Sequence, residues 1–258
     1  MRVLRALRAG SSWPVVAATA AGLFVVKLRG AAHGATALVA EIIVAELAER
    51  IGLQVPARVL IVLDEDLVSD DQNDELADLL AASHGVNLGF QFLAQAHDLR
   101  RAELETIDET TASRILWLDR LVMNPDRTDR NPNILMIGST PWLIDHGSAL
   151  GFHHAWSAVT EDSPSRPYAT ATHVLRARAT RMDIVDDESR QALTREAIES
   201  AIDEVPDDLL RGLFLAEATA DMLARRRAAY FAFLWKRLAS LRLEPKAKAQ
   251  SPKPKAQA

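Results

Sequence analysis

The 258-residue chain contains no cysteine, which removes disulfides, thiol nucleophiles and thiolate metal sites together. That absence fits a reducing compartment, and the cytoplasm is the expected location. No run approaches the roughly 20 uninterrupted apolar residues a spanning helix needs, so no membrane span is expected. Positive charge is not in excess either. The net charge is −5, and a mildly acidic surface does not attract phosphate backbones, so direct nucleic-acid binding is not expected. Neither a Walker-type lysine loop nor G-x-G-x-x-G occurs. What is present is 48% hydrophobic residues, ample for a core.

Arg2, Arg5 and Arg8 precede a largely apolar stretch over 13–26, which superficially resembles a secretory signal. Pro14 and Gly22 interrupt it, and it ends in Phe-Val-Val-Lys rather than at a small-residue cleavage site, so the reading is a hairpin over 15–28 turning near Gly22. Lys27 then ends a buried strand. Ile43, Leu47 and Ile51 recur every fourth residue and predict an amphipathic helix over 37–51, stopped by Gly52. A strand follows over 59–63. The acidic stretch 64–78 lacks EF-hand spacing and reads as a solvated loop and helix start. Residues 85–96, with little charge, are expected to line a nucleotide cleft that includes Gly89.

A helix is predicted over 110–123, ended by Pro125, and two short strands over 134–137 and 142–144. From 187 onward the composition is helical, with segments over 188–204, 206–215 and 218–243. Trp117 and Trp235, on helices, are expected in the core. The Lys-, Ala-, Pro- and Gln-rich tail 244–258 reads as disordered. The division expected is an N-lobe over 1–84, a hinge and C-lobe over 85–243, and the tail.

The chemistry concentrates between Asn124 and Gly147. Phosphoryl transfer from a metal–nucleotide complex needs a carboxylate to orient the acceptor hydroxyl and oxygen ligands for the metal. Asp126 suits the first role, and Asn131, five residues on, with Asp145 beyond the hairpin, suits the second. Asn133 competes with Asn131 as metal ligand, and Asp129 ranks as a supporting rival to Asp126. A triphosphate also needs a cation, and Lys27 supplies one. Glu41, on the apolar side of the first helix, is chosen over Glu46 to fix that lysine. Arg127 is placed among the catalytic residues, and it or Arg130 could stabilise the transferring phosphate or pair with nearby acids. Gly10-Ser11-Ser12 offers a weak phosphate-covering loop, with Ser11 and Ser12 as nucleotide contacts. His146, His153 and His154 invite a zinc reading, but neighbouring histidines chelate poorly and sulfur ligands are lacking.

Four segments together resemble the HipA-like kinases, which share a fold with phosphatidylinositol 3/4-kinases and more remotely with protein kinases. They are Phe24-Val-Val-Lys-Leu-Arg-Gly30, Glu41 through Gly52-Leu-Gln-Val-Pro56, Asn124-Pro-Asp-Arg-Thr-Asp-Arg-Asn-Pro-Asn133 and Leu143-Ile-Asp-His-Gly147. The resemblance covers about residues 10–160. It implies an α+β, two-lobed protein-kinase-like fold, with a small β-rich N-lobe and a mainly helical C-lobe. It also implies ATP at the hinge, Lys27 on its phosphates, Asp126 as catalytic aspartate, and Asn131 and Asp145 on Mg²⁺. The chain departs from the lipid-kinase Asp-Arg-His at Thr128, where protein kinases place a lysine, and it carries two extra residues before Ile134.

The function expected is therefore an ATP- and Mg²⁺-dependent phosphotransferase acting on a Ser/Thr hydroxyl of a protein or of itself. The alternatives are a nucleotide-binding pseudokinase serving as an interaction module, and a kinase of a small metabolite or lipid headgroup. The acceptor, the oligomeric state and any toxin–antitoxin context are not written in these motifs.

Overall fold

A computed structural model describes residues 2–7, 13–64, 68–69, 73–214 and 217–241. Ser11, Ser12 and the tail 244–258 lie outside these residues, so the expectations placed on them are not met by any structural observation.

The N-terminal part is a six-stranded sheet. Strands β1 (Arg2–Ala6), β2 (Val15–Thr19) and β3 (Gly22–Lys27) are followed by helix α1 (Gly34–Arg50), β4 (Arg58–Leu63), β5 (Val68–Ser69), α2 (Asp74–Ala81) and β6 (Gly85–Gln91). The order across the sheet is β4-β6-β3-β2-β1-β5. The β2–β3 hairpin turns between Thr19 and Gly22, where Gly22 takes φ +127, a value that favours glycine. The arginine-bearing N-terminus, read only as the flank of an apolar run, forms β1, with a register shift between Val3 and Arg5. Below the sheet, Val3, Val15, Phe24, Val26, Leu76 and Leu80 form a small core.

Helix α1 differs from its sequence reading. Residues 38–45 are all buried, and the solvent-facing charge is confined to Glu46, Glu49 and Arg50 in the last turns. Its all-round apolar composition made this legible in principle, since such helices lie inside a protein. It packs against the helices of the C-terminal part and belongs to the main core, where each buried Leu or Ile contributes about 2 kcal/mol by area.

The remainder contains β7 (His97–Asp98), α3 (Glu109–Val122), β8 (Ile134–Ile137), β9 (Thr140–Leu143), α4 (Met182–Ala192), α5 (Arg195–Asp203), α6 (Asp207–Arg211) and α7 (Ala220–Ser240). Strands β7, β8 and β9 form a second, antiparallel sheet. Asp108 caps α3 by accepting the Thr111 N–H at 2.9 Å. The helix ends at Val122, one residue short of the expected end, with Met123 capping it in the left-handed region at φ 56. The helical run expected over 188–204 is two helices, because the Thr194 hydroxyl accepts the Ala197 N–H at 3.2 Å and starts a new one. Three short 3₁₀ turns follow β9, Gly151–His154, Trp156–Ala158 and Ser163–Ser165.

Trp117 is fully buried, and its indole N–H donates to Asp186 at 2.7 Å. Trp235 is not in the core. It is 41% exposed and stacks on Phe231 at 5.9 Å along the outer face of α7. Among the described residues, no helix is long and apolar enough to cross a membrane.

Candidate active site

The site begins with the turn after α3. Asn124 is buried, and its side-chain amide donates to Asp119 Oδ1 at 3.0 Å while its Oδ1 accepts the Asp126 N–H at 3.1 Å. This Asx-type turn presents Asp126, half-buried, to a cleft. Asp126 Oδ2 accepts from both candidate asparagines, Asn131 Nδ2 at 2.9 Å and Asn133 Nδ2 at 3.2 Å. Asn131 is exposed at the rim. Asn133 is 8% exposed and sits at φ 49, a left-handed value that asparagine tolerates better than most residues.

Arg127 occupies a different place from the one expected of a phosphate ligand. Its side chain is fully buried, and Nε donates to Asp119 Oδ2 at 2.6 Å, while Nη1 donates to the carbonyl of Asn133 at 2.5 Å. The guanidinium thus fastens the loop from behind, and it does not line the cleft. Asp119 also accepts from His173 Nε2 at 2.9 Å. The other nitrogen of His173 accepts the Leu175 N–H at 3.1 Å, so the ring is held from both sides. Burial disfavours the charge on Asp119, but Arg127 and His173 outweigh it and hold the carboxyl at about 2.

Lys27, at the end of β3, donates to Glu41 on α1 and to Asp145 Oδ1, the latter at 2.6 Å. The structure therefore brings three of the sequence candidates to one point, and Glu41 rather than Glu46 meets the lysine. Glu46 pairs instead with Arg50 and Arg58. Burial works against the charge on Lys27, but the two carboxylates outweigh it and raise its pKa. Burial pushes Glu41 up against the pull of Lys27, and its Oε2 is buried without a side-chain or backbone partner. Burial likewise opposes ionisation of Asp145, but Lys27 holds its carboxyl below the usual range.

Asp145 itself adopts φ 57 just after β9, which turns its carboxylate, 41% exposed, toward the cleft. The chain then passes close under α1, where Gly147 leaves a tight space for a side chain. A Cβ there would stand 3.2 Å from Ala37 Cβ and 3.3 Å from Glu41 Oε1. His146 between them is buried, accepts from Arg127 Nη2 at 3.3 Å, and is depressed to about 3 by burial and by the Arg127 charge. His153 is also buried, against Tyr230 Oη at 3.0 Å. Among the described residues no group of three or more His, Asp or Glu is placed to hold a metal on its own.

Lys27, Glu41, Asp126, Asn131, Asn133 and Asp145 all line one cleft of about 920 Å³, which also exposes Phe90, Gln91, Phe92 and Leu93 along its apolar wall. Gly89, expected at this wall, faces elsewhere. A Cβ on it would lie 2.5 Å from Ile61 Cδ1, so its bareness makes room for β4, and the cleft is met by the residues that follow it. Arg130 lines the cleft at its exposed rim, and Asp129 faces a smaller adjoining hollow.

The donor set is all oxygen: one ionised carboxylate turned to the cleft, a second carboxylate and two amides. Mg²⁺ takes one or two protein carboxylates and completes its shell with water and phosphate oxygens, so these residues fit a magnesium ion shared with a nucleotide. Asp145 with Asn131 or Asn133 would hold it.

No curated protein sequence matches the chain. A crystal structure of a Helicobacter pylori proinflammatory kinase, CtkA, superimposes with a TM-score of 0.52 at 12% identity, covering 93% of this chain and 95% of that one. At that identity the likeness shows a shared fold. The sequence model of the family described as HipA-like kinase matches residues 1–213. The chain, α+β with a β-sheet part and a mainly helical part as its motifs implied, belongs to the HipA-like kinase family.

Proposed function

We propose that the protein transfers the γ-phosphoryl group of ATP to a hydroxyl, a Ser or Thr of a protein or of this chain itself. The observation that carries this reading is the convergence of Lys27, Glu41 and Asp145 on the cleft that Asp126 also faces. In the reaction the acceptor oxygen forms a bond to the γ-phosphorus, the bond from that phosphorus to the β-bridging oxygen breaks, and ADP departs. Asp126 orients the hydroxyl and receives its proton. Asn131 and Asn133 hold Asp126 Oδ2 in place. Lys27, kept charged by Glu41 and Asp145, supports the phosphates. Magnesium, when bound, neutralises phosphate charge. Phe90 to Leu93 provide an apolar wall for a nucleobase and exclude water from one side.

Arg127 enters as the residue that fixes the loop, so charge stabilisation during transfer falls to Lys27, with Arg130 as the arginine that lines the cleft. A cytoplasmic location, where ATP is available, goes with this reading. The test is incubation of purified protein with γ-labelled ATP and Mg²⁺, alone and with cell extract. Label on the chain or on an extract protein supports the reading. Nucleotide binding without transfer to any acceptor replaces it with an interaction module, and label on a small molecule or lipid changes the acceptor.

A further inference from the structure

We infer that Arg29 is a positioning residue for Lys27, acting through an ion pair with Asp208 that ties the sheet to the helical part. Its catalytic half rests on the phosphotransfer reading above, and its mechanical half does not. Arg29 lies in the loop 28–33, which joins the strand ending in Lys27 to the helix carrying Glu41. Its backbone N–H donates to Asn87 Oδ1 at 2.7 Å, and Asn87 donates in turn to the carbonyls of Ser83 and Gly85 at 2.8 and 2.9 Å. The loop is thus fixed to the start of β6. The guanidinium then leaves the sheet and pairs with Asp208 on α6. Asp208 Oδ2 also accepts the Val86 N–H at 3.4 Å.

Two glycines frame the guanidinium. A Cβ on Gly85 would stand 2.8 Å from Arg29 Nη1, and one on Gly212, just past α6, would stand 3.3 Å from Nη2 and 2.9 Å from Ala35 Cβ. The Arg29 side chain is 19% exposed and that of Asp208 43%, so the guanidinium is seated between the two parts while the carboxylate reaches solvent.

The position of the pair gives it leverage. The chain leaves β6 for the second sheet after Gln91, while Asp208 grips the same strand at Val86, five residues back. At about 3.3 Å per residue these two attachments stand about 17 Å apart. The sheet is also held through α1, which packs on α5 and α6, but without the Arg29–Asp208 pair it could still pivot about residues 92–96 and shift Lys27 relative to Asp145. With the pair in place, that pivot requires breaking it. Neither residue lines the cleft, so each acts through Lys27 and touches no reacting atom.

The experiment exploits the absence of cysteine. Leu60 on the sheet and Ile184 on α4 are 52% and 40% exposed, and Leu60→Cys with Ile184→Cys gives two spin-label sites on otherwise intact full-length protein. The expected result is one narrow inter-label distance, broadened by Asp208→Asn and narrowed again by Asp208→Glu. In unlabelled protein, Arg29→Gln and Asp208→Asn should lower kcat about ten-fold with KM for ATP within two-fold and one ATP still bound per chain, and Asp208→Glu should recover most of the loss. An unchanged distance distribution overturns the tether. Broadening with unchanged kcat overturns the positioning role, as does a rate loss matched by lost ATP stoichiometry. Broadening in a protein whose wild type transfers no phosphate supports the tether and removes the kinase reading.

Discussion

Lys27 and Asp145 are 118 residues apart in the chain and 2.6 Å apart in space. The contact closes the cleft between the sheet and the loop after β9, and Glu41 beneath holds the lysine from the other side. Lys27 and Asp145 keep each other ionised, while burial pushes Glu41 up against the pull of the lysine. Replacing Lys27 by Ala, or Asp145 by Ala, should lower phosphotransfer by about 100-fold or more, as removal of a single electrostatic group at a transfer site does. Steady-state rates in Mg²⁺ and ATP check this. Unchanged rates in either variant contradict the assigned role.

The two asparagines should separate. Asn131 is exposed at the rim, while the Asn133 carbonyl accepts from Arg127 and from the Ile144 N–H, the latter at 3.1 Å. We expect Asn131→Ala to raise the Mg²⁺ concentration needed for half-maximal rate about ten-fold with little change in stability. Asn133→Ala, at a left-handed φ, should cost about 1 kcal/mol of folding free energy, and Asn133→Gly less. Magnesium titrations and urea unfolding distinguish them.

Arg127 gives a sharper stability test. It and Asp119 are both fully buried, so removing the guanidinium leaves a carboxylate without its main partner. Arg127→Ala should destabilise the fold by about 3–5 kcal/mol. Asp119→Asn in the same background should recover part of that loss, because it removes the stranded charge. Denaturant unfolding of the single and double variants measures it, and equal stability of Arg127→Ala and wild type would show the pair is not the fastening of the loop.

His153 makes stability fall in acid. Burial, with smaller contributions from His154 and Arg226, depresses it to about 3, whereas an unfolded histidine titrates near 6.5. Between those values the unfolded chain binds the extra proton, so stability present above pH 6.5 is lost as the pH falls toward 3, at up to about 1.4 kcal/mol per pH unit. His153→Gln should remove that amount from the slope of urea stability between pH 6 and 5. An identical slope in the variant contradicts the account.

Much of this was legible in sequence because the chemistry is local. Asp126 and Asn131 sit on one loop, the 134–143 hairpin carries Asp145 back to it, and the apolar strand ending in Lys27 is unmistakable. What sequence hid was orientation. Arg127 and Arg130 are equally charged neighbours of Asp126, and only the buried partner Asp119, eight residues upstream on α3, turns Arg127 inward. Asp119 had no sequence signal of its own, since a carboxylate on a helix is ordinarily solvated. Gly89 and Phe90 are adjacent, but Gly89 lies against Val59 and Ile61 of β4, a packing that composition does not reveal, and the cleft is met only from Phe90 onward. Trp235 shows the same limit on a helix, where composition suggested the core and the face chosen by α7 put it outside.

The central claim is that Asp126 receives the proton of a hydroxyl that accepts the γ-phosphoryl group. Its most direct test is single-turnover transfer from γ-labelled ATP in Mg²⁺, comparing wild type with Asp126→Asn at equal nucleotide occupancy. The account predicts label bound to Ser or Thr in the wild type and a rate at least about 100-fold lower in the variant, with ATP binding retained. Equal transfer by both proteins, or full ATP occupancy with no transfer by the wild type, would contradict it.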